Sequence, residues 1–439
     1  MGAVRVVRGF GAIVALMSVV GWGVPARAVT DAELQSAVFR AKPAVVMIGV
    51  EVGATVDVQC SSGERVSVRP DPLRWIGSGS IIHPEGWVAT NAHVVQPFYE
   101  RNEATLGAEL LDKAVAKACQ AELEELGGEA RAERIQALTA QPANQDAVAV
   151  EKKLMVNMSN GRMYPAELKA YSPPVYVEVA TKVGAGGETV KEYGRDVAVL
   201  KIAERNLPVV RLAAHSKALN LGQSLFVIGF PGVVASHELL SKATQFEPSV
   251  TVGRVSGFKL DVGGNRVIQT DAAIIQGNSG GPVFDERGEV IGAATFTSLQ
   301  GDQVVQGFNF LIPVESLREI VQQAGVTPQG ESAFTRLWDR GVGLYVRDLH
   351  ARAYRSMNAA SQLHPGFPDV ERVKEACQIK HAEQPYLDRE EVQWGAIGAG
   401  LIGALGAVWL GVRRLRSAAR RAIQQIIREE VEQLGLRRS

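Results

Sequence analysis

Residues 268–296 read IQTDAAIIQGNSGGPVFDERGEVIGAATF, and this stretch decides between the fold classes open to the chain. Short runs of apolar and β-branched residues lie on either side of a glycine-rich turn around Ser279. Runs of this length, with Gly or Pro at their boundaries, are typical of β-strands joined by tight turns. The stretch therefore predicts strands and turns rather than a long helix.

The same pattern continues outward from this stretch in both directions. Segments of this kind are AVVMIGVEVG, RVSVRP, GSGSIIHPEGWVATNAHVV, KLMVNM, MYPAELKAY, DVAVLKI, SLFVIGFPG, VTVGRVSGF and GFNFLIP. KLMVNM and MYPAELKAY flank Asn160-Gly161, which is a strong signal for a hairpin turn. So many short strands predict an all-β fold, with an antiparallel barrel or sandwich as the best fit.

Residues 99–140 break the β pattern. Six apolar residues keep helical spacing up to Gly127-Gly128: Leu106, Leu110, Val115, Cys119, Leu123 and Leu126. A second helix-like run follows the two glycines. This segment predicts an inserted helical hairpin. A second, glycine-containing insert covers about residues 173–194, and residues 330–391 have the mixed helical character of a connector or a small membrane-proximal subdomain.

Composition excludes several classes of protein. The chain has 439 residues, of which 46% are hydrophobic, and 47 Lys and Arg balance 47 Asp and Glu, which argues against a disordered chain and a globally basic nucleic-acid binder. Three cysteines are too few for a disulfide scaffold, and their spacing matches no thiolate metal site. One bridge at most can form, and the pairing stays open, with free structural thiols as the simplest choice. We expect no cofactor and no metal.

Both ends of the chain predict membrane targeting. Residues 1–28 have arginines before an uncharged run and close on Ala26-Arg27-Ala28, so they predict a secretory signal peptide cleaved after Ala28. An uncleaved anchor helix is the alternative. Residues 392–412 are uncharged and, at about 1.5 Å per residue, long enough to cross the ~30 Å hydrocarbon layer as a transmembrane helix. A buried core helix is the alternative here.

The arginine-rich segment 413–439 follows the predicted span and is amphipathic at helical spacing. Segments rich in Lys and Arg next to a membrane span usually remain on the cytoplasmic side, so this tail is predicted to be cytoplasmic. Residues 29–391 are then extracytoplasmic, or periplasmic in a Gram-negative cell. Small residues at every fourth position of the span allow close helix approach, which leaves a homo-oligomer open: Ala399, Gly403, Ala407 and Gly411. The lipid bilayer is thus an expected partner.

Three short strings carry the candidate chemistry. They are TNAH ending at His93, RDVAVL containing Asp196, and GNSGGP containing Ser279. Amide hydrolysis needs a nucleophile, a base near neutral pKa and a carboxylate that fixes the base's tautomer, and these residues supply the three types. Glycines around Ser279 allow the Gly277 and Ser279 N–H groups to converge on a developing oxyanion.

Each string alone has a plainer interpretation. A glycine-rich serine loop is usually a turn, a histidine after a strand is usually a surface group, and Asp196 before VAVLKI can cap the strand start. Their occurrence together, each bordering an apolar strand in an exported chain, favours a catalytic triad over coincidence.

Taken together, these motifs resemble the HtrA/Deg group of trypsin-like, chymotrypsin-fold serine proteases. The likeness covers roughly residues 33–325 with interruptions, and includes GSGSIIHPEGWVATNAHVV, RDVAVLKI and IQTDAAIIQGNSGGPVFDERGEVIGAATF in the family's order. The resemblance implies a chymotrypsin-like double β-barrel of two packed six-stranded barrels. It also implies that His93 is the general base, Asp196 its orienting carboxylate and Ser279 the nucleophile, with Gly277, Asn278 and Ser279 forming the oxyanion hole.

The resemblance also bears on activation and specificity. Asn278 stands where digestive enzymes have an aspartate that pairs with a newly cut N-terminus, so activation by that route is not implied. Ala273, Ile274, Phe296 and Thr297 would help to line the primary substrate pocket, which implies a preference for a small or medium apolar side chain.

The chain also departs from the family in its C-terminal part. Family members commonly continue into PDZ domains, and Gly341-Val342-Gly343-Leu344 is weakly similar to their carboxylate-binding loop. Too few residues remain before the predicted span for a complete PDZ domain.

The sequence therefore predicts a membrane-anchored extracytoplasmic serine endopeptidase that acts on misfolded or exposed segments of exported or membrane proteins. Polypeptides are the expected substrates, and no nucleic acid is expected as a partner. Two alternatives stay open: a catalytically silent protease-fold scaffold, and a regulatory protease with one membrane substrate.

Overall fold

A computed structural model describes residues 31–383, apart from 100–101, 145, 147, 176, 181–188, 236–238 and 301–302. Beyond these it describes residues 400, 403–418, 420–421 and 425. The predicted signal peptide, residues 1–28, and most of the predicted cytoplasmic tail lie outside the described residues.

The described residues form β-strands in chain order as follows: β1 Val45–Ala54, β2 Val56–Gln59, β3 Arg65–Val68, β4 Leu73–His83, β5 Trp87–Thr90, β6 Val150–Met158, β7 Met163–Ser172, β8 Val177–Ala180, β9 Thr189–Glu192, β10 Val197–Ile202, β11 Arg211–Leu212, β12 Ser224–Gly229, β13 Ser249–Leu260, β14 Arg266–Thr270, β15 Pro282–Asp285, β16 Glu289–Gln300 and β17 Gln303–Pro313. The helices are α1 Asp31–Ala41, α2 Ala92–Tyr99, α3 Glu103–Ala118, α4 Gln120–Leu123, α5 Gly128–Thr139, α6 Gly232–Ala235, α7 Val314–Gln323, α8 Ala333–Tyr345, α9 His350–Leu363 and α10 Pro368–Glu383.

The first barrel is closed, with strand order β1-β4-β5-β10-β7-β6. Its antiparallel pairs alternate buried apolar residues with residues that face outward, as β1 shows with Val46, Ile48 and Val50 fully buried. The predicted hairpin is present: β6 pairs with β7 through Asn157 and Met163, and Gly161 takes the positive φ of 80° that its turn requires.

The second barrel has strand order β16-β15-β12-β13-β14-β17 and closes through the pairing of β16 with β17. The two-residue strand β11 adds to β16 in parallel. The two barrels confirm the chymotrypsin-like double β-barrel fold. In each barrel the strands pair with one another all the way round, which leaves the loops at the strand ends unpaired. Side chains from the two barrels can meet at the loops that lie where the barrels adjoin.

The segment 99–140 contains the predicted helices. Helices α3 and α5 pack together, and most of the apolar residues that predicted them are fully or nearly fully buried against the first barrel: Leu106, Leu110, Val115, Cys119 and Leu123. A disulfide joins Cys119 to Cys60. The expectation of free thiols is therefore wrong for this pair, because folding of the insert brings the end of α3 onto the β2–β3 hairpin.

The second insert forms a two-stranded hairpin, β8 with β9. Residues 181–188, between these two strands, lie outside the described residues.

Residues 333–383 form three helices, α8, α9 and α10, that pack on one another and on the first barrel. Phe334, Trp338 and Phe367 are fully buried in a core shared with barrel residues, and the Trp338 indole N–H donates to the Phe39 carbonyl oxygen at 2.9 Å. The segment is therefore a folded helical subdomain. Gly341–Leu344 lies inside α8, so its likeness to a carboxylate-binding loop is wrong: a continuous helix has no free loop N–H groups there.

The predicted transmembrane helix, 392–412, is described only in part, at 400 and 403–412. Among the described residues, no helix has the length and apolar character needed to cross a bilayer.

Candidate active site

His93, Asp196 and Ser279 lie at the ends of strands. His93 is the second residue of α2, which begins just after β5, and Asp196 directly precedes β10. Strands β5 and β10 are antiparallel neighbours with Thr90 opposite Ala198, so both side chains come from the same edge of the first barrel. Ser279 lies in the loop before β15 of the second barrel.

The structure brings His93 and Asp196 into direct contact. His93 Nδ1 lies 3.0 Å from Oδ1 and 2.9 Å from Oδ2 of Asp196, and the His93 backbone N–H donates to Oδ1 at 3.0 Å. The Asp196 side chain is 3% exposed, whereas the His93 side chain is 35% exposed. Because an ionised carboxylate only accepts hydrogen bonds, Nδ1 carries the proton and Nε2 is left as the basic nitrogen.

The environment of His93 changes its acidity. Burial acts to lower the pKa of His93, but the charge of Asp196 and its hydrogen bond to the ring outweigh burial and raise the pKa above the ordinary 6.5. A raised pKa makes His93 a stronger base than a free imidazole and keeps it protonated to a higher pH.

The backbone of Asp196 has an unusual conformation. Its φ is 52°, in the left-handed region where Asn and Asp are the most tolerant non-glycine residues. Two hydrogen bonds hold this conformation: the Asp196 N–H donates to the Pro173 carbonyl at 2.8 Å, and the Asn91 side-chain amide donates to the Asp196 carbonyl at 2.7 Å. Asn91, fully buried, thus fixes the carboxylate's backbone, a role that its place in TNAH did not reveal.

Thr295 contacts both Asp196 and Ser279, and the sequence patterns did not predict this residue. Its hydroxyl donates to Asp196 Oδ2 at 2.6 Å and its carbonyl accepts from Ser279 Oγ at 3.1 Å. The Thr295 side chain is 3% exposed and comes from β16 of the second barrel. It therefore satisfies the buried carboxylate of the first barrel, and only the pairing of the two barrels could reveal that contact.

The loop before Ser279 has the geometry of an anion-binding turn. The Asn278 N–H donates to the Ile275 carbonyl at 3.0 Å, which closes a turn whose third residue, Gly277, has a φ of 98°. A Cβ at Gly277 would lie 2.4 Å from the Phe230 carbonyl oxygen, so only glycine fits. Within the described part of the chain, the backbone N–H groups of Gly277 and Ser279 have no acceptor, which leaves both available to an oxyanion.

The Ser279 hydroxyl is hydrogen-bonded away from the histidine among the described residues. It is hydrogen-bonded to the Thr295 carbonyl, and no described hydrogen bond joins it to His93. Catalytic hydrogen bonds are often long or misaligned without substrate, so this geometry does not exclude a Ser279–His93 pair.

The structure describes the side chains of only two of the four residues predicted to line the substrate pocket. Ala273 is exposed and its carbonyl accepts from the Thr251 hydroxyl at 2.9 Å, whereas Ile274 is fully buried in the core of the second barrel. Phe296 and Thr297 follow Thr295 on β16, and their side chains lie outside the described set. The pocket stays a prediction.

Comparison with known proteins agrees with this architecture. Residues 77–292 match the family model of a trypsin-like peptidase domain. The chain is 31% identical over 189 residues to "Serine protease Do-like HtrB" of Bacillus subtilis, covering 41% of this chain and 34% of that protein. It is 29% identical over 255 residues to "Probable periplasmic serine endoprotease DegP-like" of Halomonas elongata, covering 57% and 35%.

The chain thus spans about a third of the length of these curated relatives. Among solved structures, "HtrA-type protease AlgW with tripeptide" aligns at 23% identity with a TM-score of 0.37, covering 66% of this chain and 62% of that one. The motif order, the paired barrels and the family match agree that residues 77–292 form a trypsin-like peptidase domain, and the curated relatives that the chain resembles are proteases of the HtrA/Deg type.

Proposed function

We propose that the chain is a serine endopeptidase in which His93 is the general base, Asp196 orients it and Ser279 is the nucleophile. The observation that carries this proposal is the contact of His93 Nδ1 with the buried Asp196 carboxylate at 2.9 Å. That contact leaves Nε2 as the basic nitrogen, and Thr295 links Ser279 to the same carboxylate.

The proposed reaction begins when Ser279 Oγ turns from Thr295 to His93. As Oγ bonds to the substrate carbonyl carbon, its proton passes to Nε2, and the Gly277 and Ser279 N–H groups donate to the oxyanion. Collapse of this intermediate breaks the C–N bond, and Nε2 gives its proton to the leaving amine. A water then attacks the acyl ester, loses its proton to Nε2, and the acid product leaves as the proton returns to Ser279 Oγ.

The proposed substrates are exposed segments of exported polypeptides. The predicted signal peptide and the relatives named as periplasmic support an extracytoplasmic location. Anchoring in the membrane through residues 392–412, with a cytoplasmic tail, stays a prediction of the sequence alone, as do a homo-oligomer and a single dedicated membrane substrate.

One observation favours a second candidate, a binding module whose triad is silent at rest. The Ser279 hydroxyl is held by the Thr295 carbonyl rather than by His93. In such a module the barrels would hold peptides without cleaving them, or an activator would first have to reorient Ser279.

Digestion of casein by the full-length protein separates the two candidates. The proposed endopeptidase produces casein fragments, stops after treatment with a fluorophosphonate and is unaffected by EDTA, because the triad needs no metal. Binding of casein without fragments supports the silent module. Cleavage that EDTA abolishes contradicts the proposed mechanism.

The raised pKa of His93 predicts the pH dependence of activity. Because His93 must be neutral to accept the Ser279 proton, kcat/KM should fall as pH drops through this pKa, with its half-maximal value above pH 6.5. Stability depends on pH in the opposite direction to activity. The protonated His93 ring beside Asp196 stabilises the fold below pH 6.5, and this contribution is lost as pH rises through the raised pKa of His93.

A pH profile of kcat/KM on a fluorogenic peptide checks this prediction. The variant His215→Ala, which removes an exposed histidine, is the control and should leave the midpoint in place. A wild-type midpoint below pH 6.5 would contradict the assigned role of the His93–Asp196 pair.

A further inference from the structure

Ser78 is a fully buried serine in the middle of β4 whose side chain reaches from the first barrel to the second. Its hydroxyl donates to the Gly277 carbonyl at 2.6 Å and accepts from the Phe230 N–H at 2.8 Å. Because a hydroxyl has one proton, and the Phe230 N–H already occupies one of the oxygen's lone pairs, that proton is committed to Gly277.

The backbone of Ser78 contacts the same loop. Its N–H donates to the Ser279 carbonyl at 2.8 Å, so Ser78 holds the carbonyls on both sides of Asn278. Its own carbonyl accepts from the Thr90 hydroxyl at 2.7 Å, three residues before His93. A continuous set of hydrogen bonds therefore runs from the segment that carries the histidine to the loop that carries the serine.

The hydrogen bond from Ser78 restricts the backbone orientation at Gly277. A glycine has the widest backbone freedom, so the peptide between Gly277 and Asn278 can rotate and exchange the directions of its carbonyl and N–H. The Ser78 hydroxyl holds the Gly277 carbonyl toward the first barrel. With the carbonyl held there, the neighbouring Gly277 and Ser279 N–H groups are the ones without acceptors in the described structure.

We infer that Ser78 is a positioning residue that keeps the Gly277–Asn278 peptide in the orientation required by the oxyanion hole. This inference rests on the proposed function and adds to it a residue from the opposite barrel. Ser78 contacts neither the substrate nor the reacting atoms, and it acts through the loop that it holds.

Ser80 provides a matched control on the same strand. It is 3% exposed and two residues further along β4, so its side chain is on the same face, but no described hydrogen bond joins it to the nucleophile loop. Removing either hydroxyl takes a buried polar atom from β4, and only the Ser78 hydroxyl should affect catalysis.

The test compares full-length wild type, Ser78→Ala, Ser78→Cys and Ser80→Ala on a fluorogenic peptide. The cysteine variant keeps a side chain of similar size but offers only a weak donor. Both Ser78 variants should lower kcat, Ser78→Ala by about 100-fold, as loss of one oxyanion donor does, with KM changed less than about threefold. Ser80→Ala should stay within about twofold of wild type in kcat.

A second measurement separates positioning from a general structural role. A peptide boronate forms a tetrahedral adduct that uses the oxyanion hole, whereas a product peptide does not. Ser78→Ala should weaken boronate binding by about the same factor as kcat and leave product-peptide binding unchanged. Equal loss for both ligands, unaltered kcat in a folded Ser78→Ala protein, or unfolding of both Ser78 variants would overturn the inference.

Crystal structures of wild type and Ser78→Ala supply a readout that does not depend on activity. The inference predicts a rotated Gly277–Asn278 peptide in the variant, and an unchanged peptide overturns it. If wild type itself cleaves nothing, the proposed function fails, and these two structures still decide whether Ser78 holds the peptide.

Discussion

Asp196→Asn should lower kcat/KM by about 10⁴-fold while the protein stays folded. Asp196 accepts hydrogen bonds from the His93 N–H, the His93 ring and the Thr295 hydroxyl, and an amide with one acceptor oxygen cannot satisfy all three donors. An amide N–H turned toward Nδ1 places the ring proton on Nε2, which can then no longer accept the proton of Ser279. Other Ser-His-Asp triads lose about this factor through the same change.

Asparagine is a well-matched replacement because Asp196 has a φ of 52°, a conformation that Asn tolerates better than most residues. Steady-state kinetics on a fluorogenic peptide, together with thermal unfolding, measure the two effects separately. The control is Asp261→Asn, a half-buried aspartate in the turn between β13 and β14, which should keep wild-type kcat/KM. A loss smaller than about tenfold in folded Asp196→Asn would show that Asp196 does not orient the base.

Gly280→Ala should destabilise the protein by roughly 3 kcal/mol or more and remove most of its activity. Gly280 has a φ of 81°, which costs a residue with a side chain about 1–2 kcal/mol. A Cβ there would also lie 2.2 Å from the Ser78 carbonyl oxygen and 2.3 Å from the Thr90 hydroxyl. These atoms belong to a buried strand and to the Ser78–Thr90 hydrogen bond, so the nucleophile loop would have to move away from the first barrel.

Gly264→Ala isolates the backbone part of this effect. Gly264 has a φ of 79°, but a Cβ added there would have no atom within 4 Å. Thermal unfolding should show a drop in Tm of several degrees for Gly280→Ala and a clearly smaller drop for Gly264→Ala, with activity reduced only in the former. Equal drops with full activity would contradict the close packing of the loop against β4.

The sequence predicted much of this architecture because local patterns determine it. Apolar residues at helical spacing predicted the helices of the insert at 99–140, and Asn160-Gly161 predicted the β6–β7 hairpin. Asp196 and His93 could be paired because each flanked an apolar strand. These signals depend on residues close together in the chain, which is where periodicity and turn chemistry act.

Contacts between the barrels could not be predicted in the same way. Thr295 is distant in sequence from Asp196, and Ser78 is distant from Gly277, so nothing local indicates that their hydroxyls meet those groups. The bridge between Cys60 and Cys119 likewise depends on how the insert packs. Gly341–Leu344 was misread because four residues were compared without the helical pattern around them.

Labelling with a fluorophosphonate probe shows whether Ser279 is a nucleophile activated by His93. Full-length wild type, Ser279→Ala, His93→Ala and the control His215→Ala are treated with the probe, and mass spectrometry identifies the modified residue. We expect label on Ser279 in wild type and His215→Ala, and none in Ser279→Ala or His93→Ala. Folded wild type without label, or label that persists in Ser279→Ala, would show that Ser279 is not the activated nucleophile.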